Sequence, residues 1–484
     1  MYVTGQRMLI AGELVEATGG REYDNVNPAT EEVIGTAPDA GPEDVERAVT
    51  AARAAFDEGR WATDVTFRQH CLRQLQEQLR KDVQEIRAAH TAETGMPVGL
   101  AMTIGVDGPI DNLSYYTDMI GEHAWQRELP PKEIMGRTAR RVVRKEAAGV
   151  VSAITPWNYP FQLNLTKIAA PLAAGCTVVL KPAPDTPWSG TMLAAAAAET
   201  DLPPGVLNVL TTSDNAVAEL MTTHRDVDQI TFTGSTATGR RIMRNASDTI
   251  KRVSLELGGK SAAIVLDEAL LELAVGMTAG GVCMHAGQGC ALHTRLLVPF
   301  SLMDQAAQIA GAVMSQLKYG DPTDISNMMG PVVNRRQYEQ VLGFLEVGRA
   351  DGRLVTGGGP ATQFDRGFWI QPTVFTDVPA DSRLAREEIF GPVLVIVGFE
   401  DDDDAVRLAN DSLYGLSGGV YSGDVDRAMA VANRLRTGTI AVNGAQWFDV
   451  ESPFGGYKQS GLGREWGPEG LEDFLETKTV SFPV

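Results

Sequence analysis

Cysteine is scarce in this chain: four residues in 484, at Cys71, Cys176, Cys283 and Cys290. They form neither a C-x-x-C pair nor the dense, even framework of a disulfide-stapled domain. That excludes a disulfide scaffold, implies no metal site and predicts a reducing compartment. Positive charge is also short, with 42 Lys+Arg against 62 Asp+Glu and a net charge of -20. No basic stripe offsets this balance, so neither nucleic acid nor an anionic membrane is expected as a partner. Uninterrupted apolar runs of ~18 residues are missing, as is an N-terminal basic segment followed by an apolar core and a cleavage site. The expectation is a soluble, cytoplasmic protein.

What the chain does have is globular composition: 44% hydrophobic, 21% charged, with its 50 Gly and 25 Pro spread along the length. Low complexity and disorder are therefore not expected. At ~100–200 residues per domain, the length predicts two or three domains. The run Asp401–Asp404 looks like an acidic site. It precedes an Ala-Val-Arg-Leu-Ala pattern, and a solvated helix start stabilised by the helix dipole is the simpler reading.

From Met8 to Pro38, short apolar runs alternate with Gly, Asn and Pro, predicting short strands and turns. From Pro42 the period becomes helical: Val45, Ala48, Val49, Ala52 and Phe56, then Cys71, Leu72, Leu75 and Leu79. A polar, basic stretch between Glu128 and Ala148 predicts an exposed β-arm. Between Gly149 and Leu266 strand-like runs (150–154, 177–180, 206–210, 229–232, 253–257) alternate with helical ones (161–174, 189–199, 215–223, 236–246). This alternation predicts βαβ units, a parallel sheet and a nucleotide site at the carboxyl ends of its strands. Further strands at 262–266, 294–298, 393–399 and 439–442 predict a second α/β domain, and the tail ends strand-like at 479–482.

Four features carry chemistry. Phe232–Thr233–Gly234–Ser235–Thr236–Ala237–Thr238–Gly239 places two glycines five apart where a strand gives way to a helix, which suits a phosphate but also an ordinary turn. It departs from the G-x-G-x-x-G dinucleotide fingerprint. Glu256, at the end of an apolar run before Gly258–Gly259–Lys260, is either paired with Lys260 or another cation, or held for proton transfer. Asn158 follows Thr155–Pro156–Trp157 at a strand end and is either a turn-maker or a side-chain donor to an oxyanion. Cys290, flanked by Gly287 and Gly289, has room for a carbonyl beside it. A buried structural thiol is the competing reading, and the expected one for the other three cysteines.

Together these segments resemble the aldehyde dehydrogenase family over nearly the whole chain. The matching motifs, in order, are Thr155–Pro156–Trp157–Asn158–Tyr159–Pro160, Lys181–Pro182–Ala183–Pro184, Phe232–Thr233–Gly234–Ser235, Glu256–Leu257–Gly258–Gly259–Lys260, Gly287–Gln288–Gly289–Cys290, Glu387–Glu388–Ile389–Phe390–Gly391–Pro392 and Ser452–Pro453–Phe454–Gly455–Gly456–Tyr457–Lys458.

The resemblance implies Cys290 as nucleophile, Glu256 as general base, Asn158 as oxyanion donor with the Cys290 N–H, and Lys167 and Glu465 in proton handling. It implies cofactor contacts from Ile154, Thr155, Trp157, Lys181, Pro184, Phe232, Gly234, Ser235, Gly239, Leu257, Glu388 and Phe390. An aldehyde tunnel would be lined by Tyr159, Thr166, Met284, Trp447 and Phe448. None of these five is basic, so apolar aliphatic or aromatic aldehydes are expected over succinic semialdehyde. Many NAD-preferring members carry a glutamate where this chain has Pro184. NAD remains the expected cofactor, beside Asp185, with NADP admissible.

The fold the resemblance implies is α/β. A Rossmann-like nucleotide-binding domain (1–124 and 148–257) is joined by a second α/β catalytic domain (258–456). A small β oligomerisation arm with its tail (125–147 and 457–484) would make a homodimer or homotetramer. The implied reaction is NAD(P)-dependent oxidation of an aldehyde to a carboxylic acid through a cysteine thiohemiacetal and thioester, hydrolysed by water that the glutamate activates. Acyl-transferring relatives that use coenzyme A generally lack this glutamate. A catalytically idle binding or structural protein on the same fold is the alternative.

Overall fold

The computed structural model describes residues 6–446 and 448–483. Its first sheet has eight strands in the order Gly461–Leu462, Arg252–Glu256, Gln229–Thr233, Val150–Ile154, Thr177–Lys181, Leu207–Val209, Met8–Ile10, Glu13–Val15. The five strands from Arg252–Glu256 to Leu207–Val209 are mutually parallel, and the outer pairings are antiparallel. Val150–Ile154, Thr177–Lys181 and Gln229–Thr233 are buried along their whole length. That explains why these strands read as continuous apolar runs rather than alternating ones.

Helices Pro160–Ala174 and Trp188–Ala198 cross one face together with Val65–Lys81, Val83–Thr94 and Asp107–Glu122. Their core includes Trp61, Leu75, Phe161 and Leu172. The other face is covered by Pro42–Glu58, Asn215–Thr223 and Thr236–Ser247, around Val49, Val217, Ile230 and Ile242.

The second sheet has seven strands in the order Arg353–Thr356, Thr373–Thr376, Val393–Phe399, His293–Pro299, Ser261–Val265, Gly418–Tyr421, Ala441–Val442. All neighbours are parallel except the first pair. The apolar helix Leu271–Cys283 packs Leu271, Ala274, Val275, Ala279 and Val282 into this sheet's core. It delivers the chain directly to the turn that carries Cys290.

A third sheet joins Leu475–Pro483, Arg137–Ala147 and Gln126–Ile134, all antiparallel, as the expected β-arm. Three sequence expectations are corrected. Gly461–Leu462, in the range assigned to the arm, instead pairs with Arg252–Glu256 and extends the first sheet. Strand 439–442 is reduced to Ala441–Val442, the only residues that reach Gly418–Tyr421. Strand 206–210 is reduced to Leu207–Val209.

Candidate active site

Strand register gathers the site. Ile154 is paired with both Lys181 and Phe232, and Thr233 with Glu256, so residues far apart in sequence end side by side at one edge of the parallel sheet. Such an edge is where an open α/β sheet receives a ligand. A cleft of about 600 Å³ opens there, walled by Thr155, Trp157, Asn158, Pro184, Gly234, Ser235 and Leu257 on the first sheet's side, and by Cys290, Glu388 and Phe390 on the second's.

At the far end of the cleft, Lys181 is 5% exposed and has no ion-pair partner among the described residues. Burial lowers its pKa to about 8, against the pull of Asp185. The Asp185 carboxylate is engaged by the Asn334 amide at 2.8 Å. Ser235 caps the helix Thr236–Ser247, its Oγ accepting from the Thr238 N–H at 3.2 Å, so a helix N-terminus faces the cleft. A buried lysine open to the cleft and a helix N-terminus beside it suit the ribose and phosphates of a dinucleotide. The site residues thus fit NAD. Glu219 lines the same end, but Arg241 holds it through two bonds of 2.6 Å and Asn245 adds a third at 2.9 Å.

The thiol end is built on an unusual turn. His285, Ala286 and Gly287 have φ of 47°, 53° and 75°, three successive left-handed residues, two of them carrying side chains that disfavour the conformation. A Cβ on Gly287 would overlap the carbonyl of Gly391, so only glycine permits that approach. Cys290 follows, half-buried. Burial, then the carboxylates of Glu388, Glu256 and Glu465, push its thiol up to about 12.

Glu256 is 4% exposed and its Oε2 has no hydrogen-bond partner. Burial and then Glu465 raise its pKa well above the usual carboxylate value, while Lys167 opposes them. Of the readings open for Glu256, pairing with Lys260 is not formed among the described residues, and the Lys260 Nζ is itself unpartnered. The cation near Glu256 is instead Lys167, which pairs with Glu465 at 2.5 Å and donates to Thr231 Oγ1 at 3.0 Å. Asn158 is 4% exposed, and its Nδ2 donates to the Gln288 carbonyl at 2.9 Å. A side-chain amide carries two N–H groups, so one stays free for a ligand. Glu388 accepts from the Gly259 N–H at 2.8 Å and is raised to about 7 by burial. Phe390 meets Trp157 edge to face, centroids 5.4 Å apart.

The structure therefore brings Cys290, Glu256, Asn158 and most of the expected cofactor residues to one cleft, with Lys167 and Glu465 behind Glu256. Gly239 lies on the helix Thr236–Ser247, outside the cleft wall. A Cβ there would lie 2.8 Å from both Leu257 methyls, so its smallness serves helix–strand packing. Tyr159, Thr166, Met284 and Phe448 also stand outside that wall. Tyr159 packs edge to face on His285 at 5.3 Å, and Phe448 on Trp466 at 4.6 Å. Trp466 and Phe454 form a small cluster with Cys290, Ala291 and Val450. Trp447 lies outside the described residues. Sequence reasoning missed Glu219, Arg241 and Asn245 on two helices, and Arg336, Gln337 and Gln340 on a third. No local motif marks them.

A sequence model of the aldehyde dehydrogenase family matches residues 14–480. The chain is 42% identical over 474 residues to 3-succinoylsemialdehyde-pyridine dehydrogenase of a Pseudomonas species, covering 97% of each chain. It is 39% identical over 481 residues to geranial dehydrogenase of Castellaniella defragrans, covering 99% of each. The NAD+ complex structure of aldehyde dehydrogenase from Bacillus cereus superposes with a TM-score of 0.94 at 35% identity, covering 99% of this chain and 96% of that one. With fold, cleft and sequence in agreement over its whole described length, the chain belongs to the aldehyde dehydrogenase family.

Proposed function

We propose that this aldehyde dehydrogenase oxidises an aldehyde to the free acid with NAD, using Cys290 as nucleophile and Glu256 as base. The carrying observation is that a half-buried thiol, a carboxylate with an unpartnered oxygen and a side-chain amide with a spare N–H meet at one end of a cleft suited to a dinucleotide. Lys181, Ser235, Trp157, Phe232, Glu388 and Phe390 would hold NAD, which when bound supplies the acceptor for the hydride lost from the aldehyde carbon.

The Cys290 sulfur attacks the carbonyl carbon as its proton passes to solvent through the open cleft. The resulting thiohemiacetal oxygen accepts from the Cys290 N–H and from the Asn158 N–H that Gln288 leaves free. Once the carbon is oxidised, the acyl group is held on sulfur as a thioester. Glu256 then takes a proton from water, the water oxygen bonds to the acyl carbon, and the C–S bond breaks to return the thiol and release the acid. Lys167 and Glu465, paired behind Glu256, carry its proton onward.

The substrate reading is an apolar aliphatic or aromatic aldehyde. Tyr159, Thr166, Met284 and Phe448 offer no cation to a second carboxylate, whose unpaired burial is costly. The relatives named for geranial and for a pyridine-bearing semialdehyde agree with it. NADP stays admissible because Pro184 offers no carboxylate to a ribose, and the neighbouring Asp185 is engaged by Asn334. The β-arm would pair copies of the chain into a dimer or tetramer, and the location would be cytoplasmic.

Incubating the protein with NAD+ and an aldehyde panel tests the reading: NADH should accumulate, and its absence for every aldehyde overturns it. The ratio of kcat/KM for hexanal or benzaldehyde to that for succinic semialdehyde should exceed one, and a ratio below one overturns the substrate class.

A further inference from the structure

Gln288 is completely buried between three segments of the site. Its Nε2 donates to the His285 carbonyl at 3.0 Å, and its Oε1 accepts from the Val333 N–H at 2.9 Å. Its own carbonyl accepts from Asn158 Nδ2 at 2.9 Å. The two side-chain bonds fix the orientation of the carboxamide, because a flipped group would set N–H against N–H and oxygen against oxygen.

Each partner leads to a different wall of the cleft. His285 opens the left-handed turn that ends at Cys290. Asn158 is the amide facing the thiol. Val333 precedes Asn334, which caps the helix Arg335–Asp351 through the Gln337 N–H at 2.8 Å and reaches Asp185 beside Lys181. One turn into that helix, Gln337 donates to the carbonyls of Ile389 and Phe390 at 3.1 and 2.8 Å. The carboxamide thus ties the nucleophile turn to Val333, while the neighbouring Asn334 and Gln337 hold the lysine motif and the Glu388–Phe390 loop through bonds of their own.

We propose that Gln288 is a positioning residue, whose carboxamide holds the left-handed turn against Val333 and so sets where Cys290 and the free Asn158 N–H stand. It touches neither substrate nor cofactor and acts through its neighbours. This rests on the assignment of Cys290 and Asn158 above. A strained turn followed by a reacting thiol needs such a clamp, since a displacement of ~1 Å at a reacting centre can cost about 10²-fold in rate.

The test uses Gln288→Met, which keeps volume but removes both polar contacts, and Gln288→Glu, which keeps an acceptor for Val333 and loses the donor to His285. Three quantities are measured on the full chain: NADH binding by fluorescence, kcat with KM for each substrate, and the iodoacetamide alkylation rate of the thiol. Only Cys290 is open to the reagent, because Cys71, Cys176 and Cys283 are buried. The expected result is NADH affinity within about threefold of wild type, kcat lower by about 100-fold in Gln288→Met and about 10-fold in Gln288→Glu, and an alkylation rate altered by at least about fivefold in Gln288→Met. If kcat and alkylation both stay within about threefold of wild type, the proposal is overturned. Loss of NADH binding in both variants overturns it too, since Gln288 would then be structural. Should wild type turn over no aldehyde, the functional assignment falls, while the alkylation comparison still decides the role of Gln288.

Discussion

At the far end of the cleft Glu219 is held by both arms of Arg241 and by Asn245. At the thiol end Glu256 leaves Oε2 without a partner and Cys290 has the carboxylates of Glu388, Glu256 and Glu465 near it. Both ends belong to one cleft and one sheet edge. The difference separates two uses of polar groups: satisfied ones build a wall, and desolvated ones with spare bonding capacity are poised for a reaction. Unpartnered buried atoms occur elsewhere too, as at Thr91, Thr376, Tyr23 and His90, but away from the cleft wall. At the thiol end several carboxylates with raised pKa values gather around a half-buried thiol that opens on the cleft.

The sharpest way to break this contrast is to remove the thiol. Cys290→Ala should lower kcat by at least about 10⁴-fold while NADH binding and the melting transition persist. Cys283→Ala, seven residues away in the core, should leave kcat within about twofold. Residual turnover in Cys290→Ala above a few per cent of wild type would place the chemistry elsewhere.

Next in size is Glu256→Gln, expected to slow steady-state turnover by about 10²–10⁴-fold through deacylation. A rapid burst of NADH equal to the enzyme concentration should survive in this variant. A stopped-flow trace with no burst would move Glu256 from the second half of the reaction to the first.

The electrostatics give a pH test. Burial and nearby carboxylates raise the Cys290 thiol to about 12, so the apo enzyme holds it protonated at neutral pH and its thiolate fraction rises about tenfold per pH unit. Iodoacetamide inactivation should therefore climb steadily from pH 7 to pH 10. A plateau below about pH 9 would mean that a cation stabilises the thiolate and that the carboxylate-rich end is misdescribed.

The smallest effect belongs to the satisfied end. Arg241→Ala exposes Glu219 at the surface of the cleft, where an ion pair between solvated groups contributes little. KM for NAD+ should change by less than about fivefold and kcat should not change. A fall in kcat comparable to that of Glu256→Gln would erase the distinction between the two ends.

Much of this could be read from the chain before any coordinates. The strand expected at 150–154 is found residue for residue, because a strand covered on both faces has no reason to alternate. The motif residues at strand ends converge because parallel pairing fixes their register. The helix faces behaved differently. Arg241, Asn245 and Gln337 are polar residues on amphipathic helices, and nothing local distinguishes a face turned to a cleft from one turned to water. Gly239 packs closely on Leu257, a use that the sequence alone does not distinguish from phosphate approach. The helices Val83–Thr94 and Asp107–Glu122 went unread, separated by the irregular π-helical stretch Ala101–Gly105. Gln288 stands within the motif that ends at Cys290, but its three partners lie 3, 45 and 130 positions away, beyond what the motif itself can show.

The glycine pair after Glu256 has a consequence for how such a chain can diverge. A Cβ on Gly258 would collide with the Glu388 carboxylate, and one on Gly259 with the carbonyl of Cys290. The joint between the two sheets is therefore backbone laid against backbone and carboxylate, with no room for a side chain to act as a spacer. It works as a datum surface: the base on one sheet and the sulfur on the other are located by main-chain geometry rather than by interchangeable parts.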